Sequence, residues 1–248
     1  MKRIVATEAI CLRTRNWHES SRIVNLLTPD LGMIAAIARG ARRPKGYRAA
    51  ALDLFAHARI TIYLPIRGEL HNIGDAELLN AHRGLVQDYE RFRTAGLMAR
   101  FLLRTLRRPH PEPNIFSLLT RNLQLLAESP VVPADCSALL AGFLLKATAF
   151  LGFRPNLNTC VHCHRQIKNN NSPPITTIRF SIAHGGFLCT RCLPEEKTWL
   201  THRELQTLNQ LIYTPSAELL NLTISSETKR FINHYIGHHF NIPDPQFL

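Results

Sequence analysis

Through the first eighty residues, apolar and polar positions alternate in short runs. IVATEAICL is apolar-rich with partial alternation, RIVNLLT follows, and the turn PDLG leads into MIAAIAR. Pro29 and Gly32 punctuate this pair as a hairpin. HARITIYLPI and ELHNIGDAELL read as two more strands, joined near Arg67 and Gly68. Five short strands in about eighty residues suit a small closed barrel such as the OB-fold. Strand number alone leaves an SH3-like barrel open.

From about residue 83 the period lengthens. In RFRTAGLMARFLLRTLRR the apolar residues fall at 92, 95, 99, 102, 103 and 106, which is helical spacing. Arg93, Arg100, Arg104 and Arg107 sit at offsets that put all four on one face of such a helix, an arginine ridge. RPHPEPN is a loop, because its prolines stop a helix. IFSLLTRNLQLLAE predicts a second helix and ADCSALLAGFLLKATAFLGF a third, apolar enough to be central to a core. KNNNSPP reads as an insert. Thr201 and Glu204 form a capping-box pattern at the start of a helix through about Tyr213. SETKRFINHYIGHHF is a final helix with Phe231, Tyr235 and Ile236 inward.

These patterns divide the chain into a barrel (1–82), a helical domain (83–158), a four-cysteine element (159–199) and C-terminal helices (200–248) that pack on the helical domain. The fold class is α+β and multi-domain. With 248 residues and 45% hydrophobic content there is material for several cores. No apolar run is long enough to span a bilayer, and the N-terminus lacks the apolar core of a secretory signal. The expected location is the cytoplasm, where thiols stay reduced.

Charge sharpens the picture. The net charge is +12 and the pI about 10.0, a range typical of nucleic-acid binders. Residues 1–82 carry 12 Lys/Arg against 7 Asp/Glu, residues 83–158 carry 10 against 5, residues 159–199 carry 5 against 2, and residues 200–248 carry 3 against 4. A polyanion surface therefore belongs to the first two-thirds. Its densest part is IARGARRPKGYR, where Arg39, Arg42, Arg43, Lys45 and Arg48 follow a strand. Like charges so crowded repel unless a polyanion neutralises them. Tyr47 and Trp17 are aromatic residues that could stack on a base or simply pack.

The candidate chemistry is a metal site. Cys160 and Cys163 form one C-x2-C knuckle, and Cys189 and Cys192 form another. Four thiolates at this spacing can surround one zinc ion tetrahedrally, leaving no open position for a catalytic water. The metal is expected to be structural. His162 and His164 are alternative ligands beside the knuckle. Cys11 and Cys136 lack a partner spacing and read as small core residues. No phosphate-binding loop, hydrolase elbow, zinc-protease helix or dinucleotide turn occurs. The acidic residues do not cluster as a two-metal nuclease requires. The protein is therefore expected not to be an enzyme.

Further strings complete a pattern: Trp17-His18-Glu19-Ser20-Ser21, Ala38-Arg39-Gly40-Ala41-Arg42, Leu52-Asp53-Leu54-Phe55, Arg67-Gly68-Glu69 and Leu151-Gly152-Phe153. With the order of barrel, helices and four-cysteine element, the chain resembles the RecO family of bacterial recombination mediators over nearly its whole length. Gly46-Tyr47 departs from the serine common there. The resemblance implies a non-enzymatic DNA-repair protein with an N-terminal OB-fold. It implies binding to single- and double-stranded DNA, annealing of complementary strands, and partnership with RecR. It also implies binding of the C-terminal tail of SSB, help in loading a RecA-type recombinase, and location at the nucleoid.

Arg39, Arg42, Arg43, Lys45 and Arg48 are the expected DNA contacts, with Arg93, Arg100, Arg104 and Arg107 as a second set. Lys229 and Arg230, beside Phe231, are the candidate site for an acidic, Phe-ended tail, in a groove between the last helices and the helix at 134–151. An RNA- or ribosome-associated zinc-ribbon protein is the alternative reading of the same charge and barrel.

Overall fold

The computed structural model describes residues 4–41, 48–64, 68, 70–106, 110–130, 135–166, 177–189, 191–192 and 198–248, with Arg48 and Thr177 described by backbone alone. The chain forms two compact units, Met1–Ala134 and Asp135–Leu248.

In the first unit, β1 (Ile4–Trp17), β2 (Ser21–Thr28), β3 (Gly32–Ala38), β4 (His57–Tyr63) and β5 (Leu70–Asn80) close into a barrel in the order β1-β2-β3-β5-β4. β3 and β5 run parallel, with Ala35 opposite Leu70 and Ile37 opposite Asn72. This order and its one parallel pair are those of an OB-fold, which settles the choice between small barrels left open by strand number. β1 serves two ladders. Ile4–Ile10 pairs with β4, and Ile10–Trp17 pairs with β2 across an irregularity between Cys11 and Arg13.

Small and branched side chains fill the barrel: Ala9, Val24, Leu26, Ile34, Ala36, Ile60, Ile62 and Ala76. Cys11 is part of this core. Burial pushes its thiol up to about 12, and the thiol donates to the Leu52 carbonyl at 3.5 Å. It is inert packing, as its lack of a partner spacing implied.

Two helices complete this unit: α2 (Tyr89–Thr105) and α3 (Pro113–Glu128). Between β3 and β4 lies a single short turn of helix, α1 (Arg48–Ala51). Asp88 caps α2 by accepting from the Arg91 N–H at 3.0 Å. The Arg91 guanidinium in turn donates to the carbonyls of Leu126 at 2.6 Å and Ser129 at 2.9 Å. A cation at these orphan carbonyls fixes the C-terminus of α3. Gly32, at φ +68, turns β2 into β3 where the backbone of His110 leaves no room for a side chain.

The second unit is built on α4 (Ser137–Phe150). Residues Ser137 to Leu145, Ala147 and Thr148 are all buried, so apolar residues surround the helix instead of forming a stripe. α5 (His202–Tyr213), α6 (Ser216–Leu219) and α7 (Ser226–Phe240) pack on it. Gly142 admits Leu219 and the Leu211 backbone at close range. The capping box at α5 is present, with Glu204 accepting from the Thr201 N–H at 2.6 Å and Thr201 accepting from the Glu204 N–H at 3.2 Å.

A small antiparallel sheet joins β6 (Thr177–Ser181) to β7 (Gly186–Leu188) and β8 (Trp199–Thr201). Phe180 of β6 meets Phe231 edge-on at 5.0 Å and Tyr235 at 6.0 Å. This seats the four-cysteine element on α7. The Tyr235 hydroxyl donates to the Phe153 carbonyl at 3.1 Å. After α7 the chain folds back, and Asn233 accepts from the N–H groups of Phe247 and Leu248.

The grouping differs from the boundary suggested by sequence period. The period changes near residue 83, yet α2 and α3 group with the barrel, and α4 groups with the C-terminal helices. Among the described residues no helix is long and apolar enough to cross a membrane.

Candidate nucleic-acid interface and metal centre

β3 ends at Ala38, and the chain turns through exposed Arg39 and Gly40, the latter at φ +71. Ala41 is buried, as are Ala51 and Leu52 on the far side of the basic segment. The segment is thus held to the barrel core at both ends. Arg42, Arg43 and Lys45 lie outside the described residues, and Arg48 opens α1. On the neighbouring strand, Arg22 sits opposite Ala38 and donates to Asp53 at 2.7 Å and to the Ala49 carbonyl at 3.4 Å. This pins α1 to β2.

The β1–β2 hairpin adds charge that the sequence reading left out. Arg13 and Arg15 are both exposed on β1. Their period-two spacing, in a strand extended to Trp17, is the signal that would have found them. The Arg15 guanidinium lies 6.0 Å from the Trp17 ring centroid, and His18 meets the indole edge-on at 4.9 Å. Trp17 is 42% exposed, so it is not committed to the core.

Among the described residues the ridge on α2 comprises Arg93, Arg100 and Arg104. The last turn closes with Leu106 N–H donating to Leu102, and the helix ends at Thr105. The prolines at 109 and 111 disfavour its continuation. Arg107 lies outside the described residues. Arg93 is exposed and bound to Glu90 at 3.2 Å. Arg104 is exposed. Arg100 is half-buried, and burial followed by the charge of Arg104 lowers its pKa.

In the second unit, the sulfurs of Cys160, Cys163, Cys189 and Cys192 all lie within 4.8 Å of one another. Cys163 Sγ is 3.6 Å from Cys189 Sγ. A tetrahedron with metal–sulfur bonds of about 2.3 Å places its sulfurs about 3.8 Å apart, so the cluster fits a single ion. Backbone turns shape each knuckle. His164 N–H donates to the Cys160 carbonyl at 2.8 Å, and Cys192 N–H donates to the Cys189 carbonyl at 3.1 Å. The Cys189 N–H also donates to Cys160 Sγ at 3.4 Å.

Burial acts to raise the Cys160 thiol, but N–H groups from Cys189, Cys163 and His162 outweigh it and bring its pKa down to about 6. Desolvation, then the neighbouring sulfurs of Cys163, Cys189 and Cys160, push Cys192 up to about 12. Four thiolates this close need a cation to ionise together. The four cysteines can hold a metal ion, and His162 and His164 are not in the cluster. Cys136, by contrast, is buried in the core.

Lys229 and Arg230 open α7 as expected, but both already have anionic neighbours. Lys229 Nζ is 3.1 Å from Asp135, and Arg230 is 3.2 Å from Glu227. Phe231 is buried against Phe180. α5 and α7 pack directly on α4.

Comparison with known proteins places both parts of the chain. Residues 1–82 match the family model "Recombination protein O N terminal", and residues 86–245 match "Recombination protein O C terminal". The chain is similar to the DNA repair protein RecO of Symbiobacterium thermophilum, at 31% identity over 235 residues, covering 92% of this chain and 89% of that protein. It is also similar to the DNA repair protein RecO of Bacillus subtilis, at 26% over 231 residues, covering 92% and 85%. A third relative, from Geobacter metallireducens, is 32% identical over 186 residues, covering 75% and 71%.

Proposed function

The chain belongs to the RecO family of DNA repair proteins, and from that footing we propose that it binds single- and double-stranded DNA without catalysing a reaction. It anneals complementary strands and, with RecR, helps load a RecA-type recombinase onto DNA coated by SSB. It does so in the cytoplasm, at the nucleoid.

The observation that carries this reading is the cation-rich segment 39–48, tied at both ends into a closed OB-type barrel. Arginine and lysine here neutralise phosphates and release counterions, which gives sequence-independent, salt-sensitive binding. Arginine predominates, and its planar fork suits both phosphate and base stacking. Arg13 and Arg15 on β1 extend the same barrel's positive surface, and the arginines of α2 are a weaker second set. Annealing needs no catalytic group. Screening the charge of two strands lets them approach, and base pairing supplies the driving force.

The ion held by Cys160, Cys163, Cys189 and Cys192 is zinc, on the strength of an all-thiolate set at tetrahedral spacing. Its role is to hold the two knuckles and thereby the small sheet. The acidic tail of SSB is assigned to Lys229 and Arg230. Arg230 is 77% exposed, and each cation must exchange its present partner, Glu227 for Arg230 and Asp135 for Lys229, for the incoming carboxylate.

Annealing of complementary oligonucleotides, followed by fluorescence, tests the whole reading. Wild-type protein should accelerate it at low salt and lose the effect as salt rises. A variant with Arg39, Arg42, Arg43 and Lys45 changed to Ala should anneal no faster than buffer. Equal acceleration by both proteins would remove the barrel segment from the mechanism.

A further inference from the structure

Both tryptophans of this chain, Trp17 and Trp199, are exposed, and each carries an arginine over its ring. One lies on the barrel. The other lies in the second unit. Trp199 sits on β8 directly opposite Arg179 of β6. The Arg179 guanidinium carbon is 4.5 Å from the indole centroid. Burial alternates along these strands. Ile178, Phe180 and Leu200 point into the core, so Arg179 and Trp199 share the outer face of the sheet. Trp199 leaves 49% of its surface in water.

A large aromatic residue at a sheet edge normally buries most of its area. Here the indole is held at the surface, and an exposed cation–π pair is a weak contact that does not by itself require one. Charge indicates what covers it. The described residues of the four-cysteine element present Arg165, Arg179 and Arg191 and no carboxylate. Glu195, Glu196 and Lys197 precede the strand in sequence, outside the described residues. An aromatic ring beside a guanidinium, in a cationic setting, matches a nucleobase and its phosphate: the π-faces stack and the cation takes the anion.

We infer that Arg179 and Trp199 form a second single-strand contact, on the four-cysteine element, in which Trp199 stacks on a base and Arg179 meets the adjoining phosphate. The contact does not depend on base identity, because every base has a π-face. This inference rests on the DNA-binding reading above and extends it to the second unit. A protein that brings strands together gains from a contact surface beyond the barrel.

Intrinsic fluorescence of the full-length protein tests it. In Trp17→Phe, Trp199 is the sole tryptophan, and adding oligothymidylate at low salt should quench its emission. Trp199→Ala should weaken oligothymidylate binding about 5- to 150-fold, the range for loss of one stacked base. Trp199→Phe should keep most of the affinity, and Arg179→Ala should weaken it. Zinc content and melting temperature of each variant separate lost contact from lost fold. If oligothymidylate binds Trp17→Phe without changing its emission, and Arg179→Ala binds as wild type does, the contact is overturned while DNA binding stands. That outcome would leave the pair as a cross-strand brace or a protein-docking face. Absence of oligothymidylate binding by the wild type would overturn both readings.

Discussion

Arg22 Nη1 lies 2.7 Å from Asp53 Oδ1, joining β2 to the turn that follows α1. The pair fixes the point where the basic segment returns to the barrel, and it also cancels one arginine charge beside that segment. Exposed ion pairs contribute little, about 0.2–1 kcal/mol. Asp53→Ala should therefore cost at most about 1 kcal/mol in urea unfolding. It should also steepen the dependence of log K on log salt by up to about 0.9, as Arg22 becomes free to meet a phosphate. A flatter slope would mean that Arg22 serves only to hold α1.

The segment itself gives the larger effect. Changing Arg42 and Arg43 together to Ala should flatten the salt slope by about 1.4 on single strands and about 1.8 on duplex, from losses near 0.7 and 0.9 per contact. Filter binding across a range of salt concentrations checks this. Arg104→Ala, on α2, should shift the slope by less than one contact. An unchanged slope in the double variant would take residues 42 and 43 out of the footprint.

Metal analysis should find about one zinc per chain, coordinated by four sulfurs at roughly 2.3 Å. Cys160→Ser should abolish stoichiometric zinc and lower stability by more than about 2 kcal/mol, near 4–8 °C for a chain of this size. Cys11→Ala should leave zinc content untouched, because Cys11 belongs to the barrel core. Full zinc content in Cys160→Ser would disprove the assigned ligand set.

His82 makes the barrel unit sensitive to acid. It is 3% exposed, and its Nδ1–H donates to the Phe55 carbonyl at 2.8 Å. Burial lowers its pKa, with the Phe55 carbonyl opposing and His57 adding to the fall. Above the ordinary histidine value of about 6.5 the ring is neutral in both folded and unfolded chains. As pH falls, the unfolded chain binds the proton first, so stability declines until the folded pKa is passed. His82→Asn keeps an amide donor and tolerates the left-handed φ of 44°. Its stability should fall less than that of wild type as pH drops below about 6.5, the ordinary histidine value. Parallel curves for the two proteins would locate the acid response elsewhere, for example at His239, which burial also lowers.

How far the sequence reveals this structure depends on where each element finds its partners. The barrel strands alternate because one side of each faces a core, and the hairpin at Pro29–Gly32 is a local matter. The cysteine pairs announce themselves by spacing, since a knuckle is a local turn. β6 and β8 were not legible. Strands of five and three residues are too short for periodicity, and they exist because β6 pairs with β8 on one side and with β7 on the other. The grouping of α2 and α3 with the barrel depends on tertiary contacts such as those of Phe55 with Phe92 and of His57 with Phe116. The Lys229–Asp135 pair spans 94 positions, beyond any local pattern.

The double duty of β1 has a consequence for synthesis. Its first half, Ile4–Ile10, has no strand partner until His57–Tyr63 has been made. At about 5–20 residues per second, the ribosome needs roughly 3–10 s to add the intervening stretch. For that interval the growing chain carries an unpaired, apolar strand. The early hairpin of β1 with β2 shelters only Ile10–Trp17. The nascent protein is therefore most exposed to chaperones, and to misassociation with neighbouring nascent chains, before β4 emerges and the barrel can close.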